Sequence, residues 1–254
     1  MKFNNVYAVY FSPTGGTKKY VKKIAEMFSG TFKEIDLTFL QKREMTFEFL
    51  EEDLVIIGAP VYGGRLPDIN LFHNLKGKNT KSIFVVTYGN RDYEDALLEE
   101  ADICKKNGFV CIGAAALIAP HSFSDKVASN RPDEMDIKKL QEFVDHIHEK
   151  DEDNLADLKL KGNYPFKEFN KIPFFPVGGD NCNGCMKCVE HCTMGAISKD
   201  NPKSTDISKC IACVACVKIC PEKSRQIVQP EAIQVLSSLE NFLLTLHKEP
   251  EFFV

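Results

Sequence analysis

The sequence is poor in the features that would direct a protein to a membrane, to nucleic acid or out of the cell. No apolar run approaches the roughly 20 residues of a membrane-spanning helix. Its 32 Lys and Arg against 36 Asp and Glu give a formal net charge of −4 without a basic patch, so we expect no nucleic-acid partner. The opening MKFNNVYAVYF lacks the basic stretch and apolar core of an export signal, and we therefore expect a cytoplasmic protein.

Cysteine is nearly absent from the first 181 residues, which contain only Cys104 and Cys111. Cysteines in a predicted helix and strand are usually small buried hydrophobic residues, and we expect that here. The other eight of the ten cysteines lie between residues 182 and 220, in two quartets with the same spacing, C-x2-C-x2-C-x3-C. This uneven distribution predicts two domains, where a length of 254 residues alone allows one or two.

The two quartets resemble the ligand pattern of bacterial ferredoxins that carry two [4Fe-4S] clusters. Two residues between cysteines allow a tight turn to direct three thiolates at one cluster, and in this family the fourth ligand comes from the other quartet. The resemblance implies one cluster bound by Cys182, Cys185, Cys188 and Cys220. It implies a second cluster bound by Cys210, Cys213, Cys216 and Cys192.

Disulfide bonds and zinc are the alternative explanations of the eight cysteines. Disulfides fit poorly with a chain that shows no export signal. Zinc accounts for one C-x2-C pair but not for the third and fourth cysteine of each quartet. The quartets differ at one position, because Pro221 follows Cys220 as in the ferredoxin pattern, whereas Thr193 follows Cys192. Proline fixes φ at about −65°, so we expect a looser turn at Thr193 with its ligand retained.

A loop rich in hydroxyl groups and glycine follows the first predicted strand. Residues 6–11 form an apolar run, residues 18–28 have helical apolar spacing, and the sequence SPTGGT lies between them. Glycines allow backbone N–H groups to converge on an anion, hydroxyls donate, and the helix N-terminus adds positive potential. The loop therefore predicts a phosphate site, although alone it would be an ordinary strand–helix turn. It matches neither GxxxxGK[ST] nor GxGxxG, which argues against nucleoside triphosphates and dinucleotides.

The rest of the first 150 residues continues the alternation of strands and helices. The patterns predict strands at 32–37, 54–58, 83–87 and 109–119, and helices at 94–106 and about 132–148. Residues 37–52 have no clear period, and we expect them to be irregular. Five strands alternating with helices predict a doubly wound α/β fold with a five-stranded parallel sheet. Ligands of such sheets bind at the carboxyl ends of the strands, where the loops after the first, third and fourth strands meet.

Those three loops resemble the FMN site of flavodoxins, and the resemblance covers roughly residues 1–150. In that family the first loop binds the FMN phosphate, which here implies Ser12, Thr14, Gly15, Gly16 and Thr17. The second and third loops flank the isoalloxazine ring, with Tyr62 stacked on it and Gly63 or Gly64 presenting a peptide group at N5. The residues implied there are Pro60, Val61, Tyr62, Gly63, Gly64, Tyr88, Gly89, Asn90 and Tyr93. Loop tyrosines also often serve packing alone.

Residues 151–181 are predicted to be an ordered linker, and residues 182–254 a small α+β ferredoxin-like domain with a C-terminal helix. The linker begins with the charged residues 151–153 and then gathers five aromatic residues among prolines, whereas a flexible tether would be rich in glycine and serine. We expect it to lie along the first domain. Residues 230–247 have helical apolar spacing, and we expect this helix to pack against residues 182–220, here called the cluster segment. The apolar ending, residues 249–254, is expected to dock.

A flavodoxin-like part joined to a two-cluster ferredoxin part resembles the flavodoxin-ferredoxin fusion proteins of anaerobic bacteria. Flavin exchanges one or two electrons and each cluster exchanges one. The resemblance therefore implies an iron-sulfur flavoprotein that passes electrons between a reduced donor and an acceptor protein, without a catalytic acid, base or nucleophile. The alternative is a flavin-dependent reductase of a small substrate, fed by its own clusters, with a pocket near Arg65, Arg91 or the His121 loop. A third possibility is a first domain that has lost its flavin and only supports the ferredoxin part.

Overall fold

In the computed structural model of the protein, residues 2–67, 69–150 and 157–254 are described. The strands are β1 (Asn5–Tyr10), β2 (Thr31–Asp36), β3 (Phe47–Phe49), β4 (Leu54–Pro60), β5 (Leu75–Gly77), β6 (Thr80–Tyr88), β7 (Phe109–Ile118), β8 (Val177–Gly178), β9 (Arg225–Gln226) and β10 (Glu251–Phe253). The helices are α1 (Gly16–Glu26), α2 (Leu40–Arg43), α3 (Ala96–Lys106), α4 (Glu134–His148), α5 (Lys187–Glu190), α6 (Ala215–Lys218) and α7 (Pro230–Leu244). Within these residues, no helix combines the length and apolar composition needed to cross a bilayer.

The central sheet contains six strands in the order β10-β7-β6-β4-β1-β2, of which all but β10 are parallel. Helices α1 and α4 cover one face through residues such as Val21 and Phe143, and α3 covers the other through Leu97. Because both faces are covered, β4 and β6 are apolar and buried along nearly their whole length. The strand order reverses between β1 and β4, which places a crevice at the carboxyl ends of the strands.

The predicted alternation of five parallel strands with helices is confirmed, but the sheet has a sixth strand. The strand β10 pairs antiparallel with β7, in the register Glu251 to Ala116. On the α4 side the ring of Phe252 lies 5.0 Å from that of Phe143, between ring centroids. The apolar ending therefore docks as expected, and it does so by covering the edge of the sheet.

The expectation that residues 37–52 are irregular is wrong in part. They contain the short helix α2 and the strand β3, which pairs in parallel with β5. Each element is too short to show a hydrophobic period, which is why the pattern gave no signal. Arg43, the last residue of α2, is only 6% exposed although it is charged, and its guanidinium donates to the carbonyls of Leu37 (2.9 Å) and Thr38 (2.8 Å).

Residues 158–167 contact the first domain, whereas Lys171 and strand β8 bond to the segment that contains the cysteine quartets. The Asp95 carboxylate accepts hydrogen bonds from the backbone N–H groups of Asn163 (2.9 Å) and Lys167 (2.8 Å). The Arg65 guanidinium lies 5.0 Å from the centre of the Phe166 ring. Tyr164 stays 64% exposed, with its hydroxyl donating to Asp102. The charged start, residues 151–153, lies outside the described residues, and the domain boundaries themselves stay a prediction.

The cluster segment is built as a repeat of 28 residues, from Cys182 to Cys210 and onward. Helices α5 and α6 are equivalent in the repeat, and β8 pairs antiparallel with β9 to close the unit. In each quartet the residues before and after the second cysteine have positive φ: Gly184 (74°) and Met186 (63°) in the first, Ala212 (54°) and Val214 (53°) in the second. A valine in this region is strained, and such strain is typical of a backbone held around a ligand.

The C-terminal helix α7 is joined to the first domain by hydrogen bonds. The Asn90 amide donates to the carbonyl of Leu243, in the last turn of α7, and to that of Leu246, just beyond the helix, at 3.0 Å each. The Glu240 carboxylate accepts from the Ser124 hydroxyl (2.6 Å) and the Lys126 ammonium (2.7 Å). The sequence indicated packing on the cluster segment, whereas these bonds hold α7 over the strand ends of the first domain.

Candidate cofactor sites

The loop between β1 and α1 forms one wall of a cavity at the carboxyl ends of the strands. The Ser12 hydroxyl accepts from the backbone N–H of Lys18 (3.0 Å), and the hydroxyls of Thr17 and Thr87 share a hydrogen bond of 2.7 Å. Gly15 has a φ of 86° and is the N-cap of α1. Backbone N–H groups and hydroxyls at the start of a helix suit an anion such as a phosphate.

This cavity, here called the loop cavity, is lined by residues of all three predicted loops. The predicted residues among its walls are Ser12, Thr14, Gly16, Thr17, Pro60, Val61, Tyr62, Tyr88 and Gly89. A Cβ on Gly16 would lie 3.2 Å from the Cβ of Ala119, so the start of α1 closely approaches the residue that follows β7. The structure thus brings most of the predicted flavin-site residues together around one space.

A second cavity of about 220 Å³, the interface cavity, adjoins the first and shares the walls formed by Tyr62, Tyr88 and Gly89. Gly63 and Gly64 line it from the second loop. On its other side it is covered by the linker, the second cysteine quartet and α7, through Phe174, Ala212, Leu236 and Leu239. A hydroxyl-lined end next to an apolar, aromatic end fits a cofactor with a phosphate tail and a flat ring.

Three predicted residues line neither cavity within the described part of the chain: Gly15, Asn90 and Tyr93. Asn90 instead caps α7. Tyr93 is fully buried, donates from its hydroxyl to the Glu251 carboxylate (2.7 Å), and packs against Tyr88. The geometry gives no support to a cofactor contact by the side chains of Asn90 and Tyr93, because the C-terminal segment takes up their polar groups.

His121 lines both cavities, whereas the sequence pointed only to a possible substrate pocket near its loop. Its ring packs so closely on Gly89 that a Cβ there would overlap it. Burial lowers the pKa of His121 to about 4, with Glu240 opposing and Lys218 adding to the effect. The ring is therefore neutral near pH 7, and its Nδ1 accepts from the backbone N–H of Phe123 (3.2 Å). Its position after the last parallel strand, β7, at the same sheet edge, was the signal that could have identified it.

Four of the eight cysteines line a single cavity, here called the sulfur cavity: Cys192, Cys210, Cys213 and Cys216. This set is the one that the ferredoxin resemblance implies for one cluster, including the crossing of Cys192 from the first quartet. The backbone N–H of Ala196 donates to Cys192 Sγ (3.1 Å), and that of Ala212 donates to Cys210 Sγ (3.4 Å). Such bonds stabilise a negatively charged cluster. The donor set therefore fits a [4Fe-4S] cluster.

Burial favours the protonated form of two of the thiols in the sulfur cavity. It raises the pKa of Cys213 to about 11 and that of Cys216 to about 12, in each case more than any nearby charge does. Thiols with such pKa values are thiolates near pH 7 only when a metal replaces the proton. Without a metal, these two cysteines are therefore neutral thiols of low nucleophilicity near pH 7.

The other four cysteines differ in exposure, whereas the four of the sulfur cavity are all of intermediate exposure. Cys185 is exposed and Cys188 is buried, with the neighbouring Cys182 among the causes that raise the pKa of Cys188 after burial itself. By the 28-residue repeat, Cys220 stands where Cys192 stands in the other half, and its Sγ accepts from the N–H of Ser224 (3.3 Å). All ten cysteines are free, which sets the disulfide alternative aside. In the described residues, no three His, Cys, Asp or Glu side chains converge closely enough to hold a single metal ion.

The loop cavity and the sulfur cavity share a residue, since Cys213 lines both. Tyr62 lies at the same junction: burial raises the pKa of its phenol well above the usual value, and the thiolates of Cys213 and Cys210 add to this effect. The cysteine set of the sulfur cavity thus adjoins the space between the three strand loops, and none of the other four cysteines lines that space.

Comparisons with known proteins agree with this division of the chain. Residues 7–106 match the flavodoxin domain family, and residues 181–224 match the 4Fe-4S dicluster domain family. Over 44 residues the chain is 48% identical to a component of the ion-translocating oxidoreductase complex of Methanosarcina acetivorans, a stretch that covers 17% of this chain and 17% of that protein.

Solved structures with similarity to this chain include two flavodoxins. The Streptococcus pneumonia TIGR4 flavodoxin is 18% identical, with a TM-score of 0.42, over 57% of this chain and 97% of that chain. A flavodoxin from the domain Archaea is 14% identical, with a TM-score of 0.39, over 57% of this chain and 96% of that chain.

Proposed function

The chain joins a flavodoxin domain to a 4Fe-4S dicluster domain, and from this premise we propose that it is an electron-transfer protein that holds FMN and two [4Fe-4S] clusters. It passes electrons between a reduced donor and an acceptor protein, in the cytoplasm. When bound, each cluster exchanges one electron and the flavin takes up two, so the two clusters together supply the pair that one flavin requires.

The single observation that carries this proposal is the shared wall at Cys213. A ligand of one cluster that also lines the loop cavity brings the two centres into contact distance without an intervening domain. The exposed Cys185 belongs to the other cluster, which is therefore accessible to a protein partner. Electrons from a donor enter at the exposed cluster, pass to the buried one and reach the flavin from there.

The coverage of the interface cavity supports the same proposal. Leu236 and Leu239 of α7, Phe174 of the linker and Ala212 of the cluster segment close the space above the loops. A flavin ring in this cavity is reached by electrons through the adjoining cluster, and a large donor is kept away from it. The ends of FMN divide between the two cavities, with the phosphate at Ser12, Thr14 and Thr17.

The test is anaerobic purification or reconstitution, with iron, sulfide and flavin counted per chain, followed by stepwise reductive titration. The proposal requires about eight irons, about eight sulfides and one FMN. Four irons would show that only one quartet binds a cluster. A reconstituted protein without flavin absorbance would favour the third possibility, in which the first domain only supports the ferredoxin part.

One observation favours a second candidate, the flavin-dependent reductase of a small substrate. A side cavity of about 380 Å³ adjoins Tyr62 and is lined by linker residues including Phe169 and Asn170 and by Ile211 of the second quartet. Filling it with Asn170→Trp distinguishes the candidates. A reductase would lose turnover with a small quinone as acceptor, whereas an electron carrier would keep its rate of transfer to a protein acceptor.

A further inference from the structure

The two quartets differ at the residue that follows the fourth cysteine, and after Cys192 this residue touches one of the cysteines that line the sulfur cavity. Thr193 is 1% exposed, and its hydroxyl lies 3.8 Å from Cys213 Sγ. When Cys213 is bound to iron its sulfur has no proton, so the Thr193 hydroxyl is the donor. Pro221, at the equivalent position after Cys220, has no hydroxyl and no N–H to offer.

The guanidinium of Arg43, from the first domain, binds the turn that contains Thr193. One terminal nitrogen donates to the Thr193 carbonyl (2.6 Å) and to Met194 Sδ (3.4 Å), while the other binds the carbonyls of Leu37 and Thr38. The guanidinium also lies 5.4 Å from the centre of the Phe11 ring. It therefore joins the flavodoxin domain to the turn that carries Cys192.

The positive charge of Arg43 is buried and has no carboxylate within ion-pair distance among the described residues. A buried cation without a counter-charge is strongly unfavourable. Burial lowers the pKa of Arg43, and the charges that oppose this effect are Glu44 and the Cys213 thiolate. A [4Fe-4S] cluster with four thiolate ligands is an anion, so a cluster in the sulfur cavity would place a negative charge close to this guanidinium, in addition to that of Glu44.

We propose that Arg43 and Thr193 raise the reduction potential of the buried cluster, the one bound by Cys192, Cys210, Cys213 and Cys216, above that of the exposed cluster. The inference rests on the proposed function, since it requires both clusters to be present. A positive charge and a hydrogen bond to a ligand sulfur both favour the reduced, more negative state. The resulting difference directs electrons inward, from the exposed cluster to the one beside the flavin.

Arg225, the other buried arginine near the cysteines, does not create this difference. It is 1% exposed, donates to the carbonyls of Pro202 and Pro176, and affects Cys188 of one quartet as well as Cys216 of the other. A charge that acts on both clusters shifts both potentials in the same direction. Arg43 and Thr193 are thus positioning residues for the buried cluster in particular.

The experiment is an EPR-monitored reductive titration of the holoprotein and its variants, with the exposed cluster assigned by Cys185→Ala. Thr193→Val removes the hydroxyl at constant volume, and we expect the potential of the buried cluster to fall while that of the exposed cluster is unchanged. Thr193→Ser, which keeps the donor, restores the original value. Arg43→Gln is expected to lower the same potential further, because it removes a full charge, whereas Arg43→Lys keeps most of it.

Two matched controls accompany these variants. Pro221→Val changes the equivalent turn without altering a hydroxyl, and Lys78→Gln removes one exposed positive charge of the first domain away from the cysteines. Both are expected to leave the potential of the buried cluster unchanged. If Arg43→Gln fails to fold, the Thr193→Val and Thr193→Ser pair decides the question alone.

Unchanged potentials in Thr193→Val and Arg43→Gln, in protein with a full iron content, would overturn the inference and leave the proposed function intact. Equal shifts of both clusters would also overturn it, since a general loss of stability would be the cause. A wild-type protein that binds only one cluster, or none, would instead contradict the proposed function.

Discussion

The two cysteine quartets are nearly identical locally and very different in their surroundings. Both have the same spacing, the same short helix and the same pair of positive-φ residues, 28 positions apart. In one, Cys185 faces solvent; in the other, Cys213 forms part of the wall of the loop cavity. The local sequence gives both quartets the same backbone, and the rest of the molecule gives each quartet its own surroundings.

The largest expected effect comes from removing one cysteine of each quartet, which tests whether the two quartets differ in function. Cys213→Ala and Cys185→Ala should each reduce the iron content from about eight to about four per chain. Only Cys213→Ala should abolish electron transfer from cluster to flavin, because it removes the cluster beside the flavin. The measurement is the rate of flavin reduction after photochemical reduction of the clusters. Equal loss of transfer in both variants would show that the two clusters are not arranged in series.

A substitution in the loop cavity should leave both clusters in place. In Gly89→Ala the new Cβ overlaps the His121 ring, and overpacking of this kind costs about 1–3 kcal/mol. We expect the dissociation constant for FMN to rise about tenfold or more, with unchanged iron content. The matched control is Gly179→Ala beside the exposed quartet, where the nearest atom would be at an ordinary 3.4 Å. Loss of iron in Gly89→Ala would mean that the two sites fold as one.

The burial of His121, which lines the loop cavity together with Cys213, should make the free energy of unfolding depend on pH. His121 binds a proton only near a pKa of about 4 in the folded protein, whereas the unfolded chain binds it near about 6.5. The unfolded state is therefore favoured as the pH falls, and the free energy of unfolding should drop by about 1.4 kcal/mol from pH 7.5 to pH 5.5.

Denaturant unfolding at the two pH values measures this contribution. His121→Gln should remove it, while His146→Gln on the outer side of α4 should leave it in place. The same loss of stability in His121→Gln and in the wild type would assign the pH dependence to other groups.

The smallest expected effect concerns the positive-φ residues at equivalent positions of the 28-residue repeat. Gly184 and Ala212 occupy equivalent positions with φ of 74° and 54°, where glycine is favoured over alanine by about 1 kcal/mol. Gly184→Ala should destabilise the exposed half, and Ala212→Gly should stabilise the buried half by a similar amount. The rate of iron loss to a chelator, together with the unfolding midpoint, measures both. A stabilising Gly184→Ala, or a destabilising Ala212→Gly, would mean that the cluster and not the turn determines which backbone conformation is favoured.

The sequence alone was sufficient for the features that depend on local spacing. The ferredoxin resemblance implies two ligand sets, and the structure brings the members of one of them, Cys192, Cys210, Cys213 and Cys216, to one cavity, while the other set stays a prediction. The apolar runs predicted the five parallel strands, and the SPTGGT loop lies at the predicted edge of the sheet. These features carry their own signal because each is formed by residues close together in the chain.

What the sequence did not reveal depends on contacts between distant segments. Asn90 and Tyr93 stand in the third loop, but residues 243–251 bind their polar groups and draw them away from the cavity. Arg43 lies 150 positions before Thr193, the residue whose carbonyl it binds. No local pattern marks such pairs, because the same side chains in another tertiary context would face solvent.

The short strand β10 has a consequence for how the protein is made. On the ribosome, β7 emerges before the whole dicluster segment, so its outer edge has no neighbour until that segment and α7 have followed. An uncovered edge is open to pairing with other chains. The flavodoxin domain therefore completes its sheet only after the dicluster segment has been synthesised. A nascent chain that stalls before β10 is exposed to aggregation.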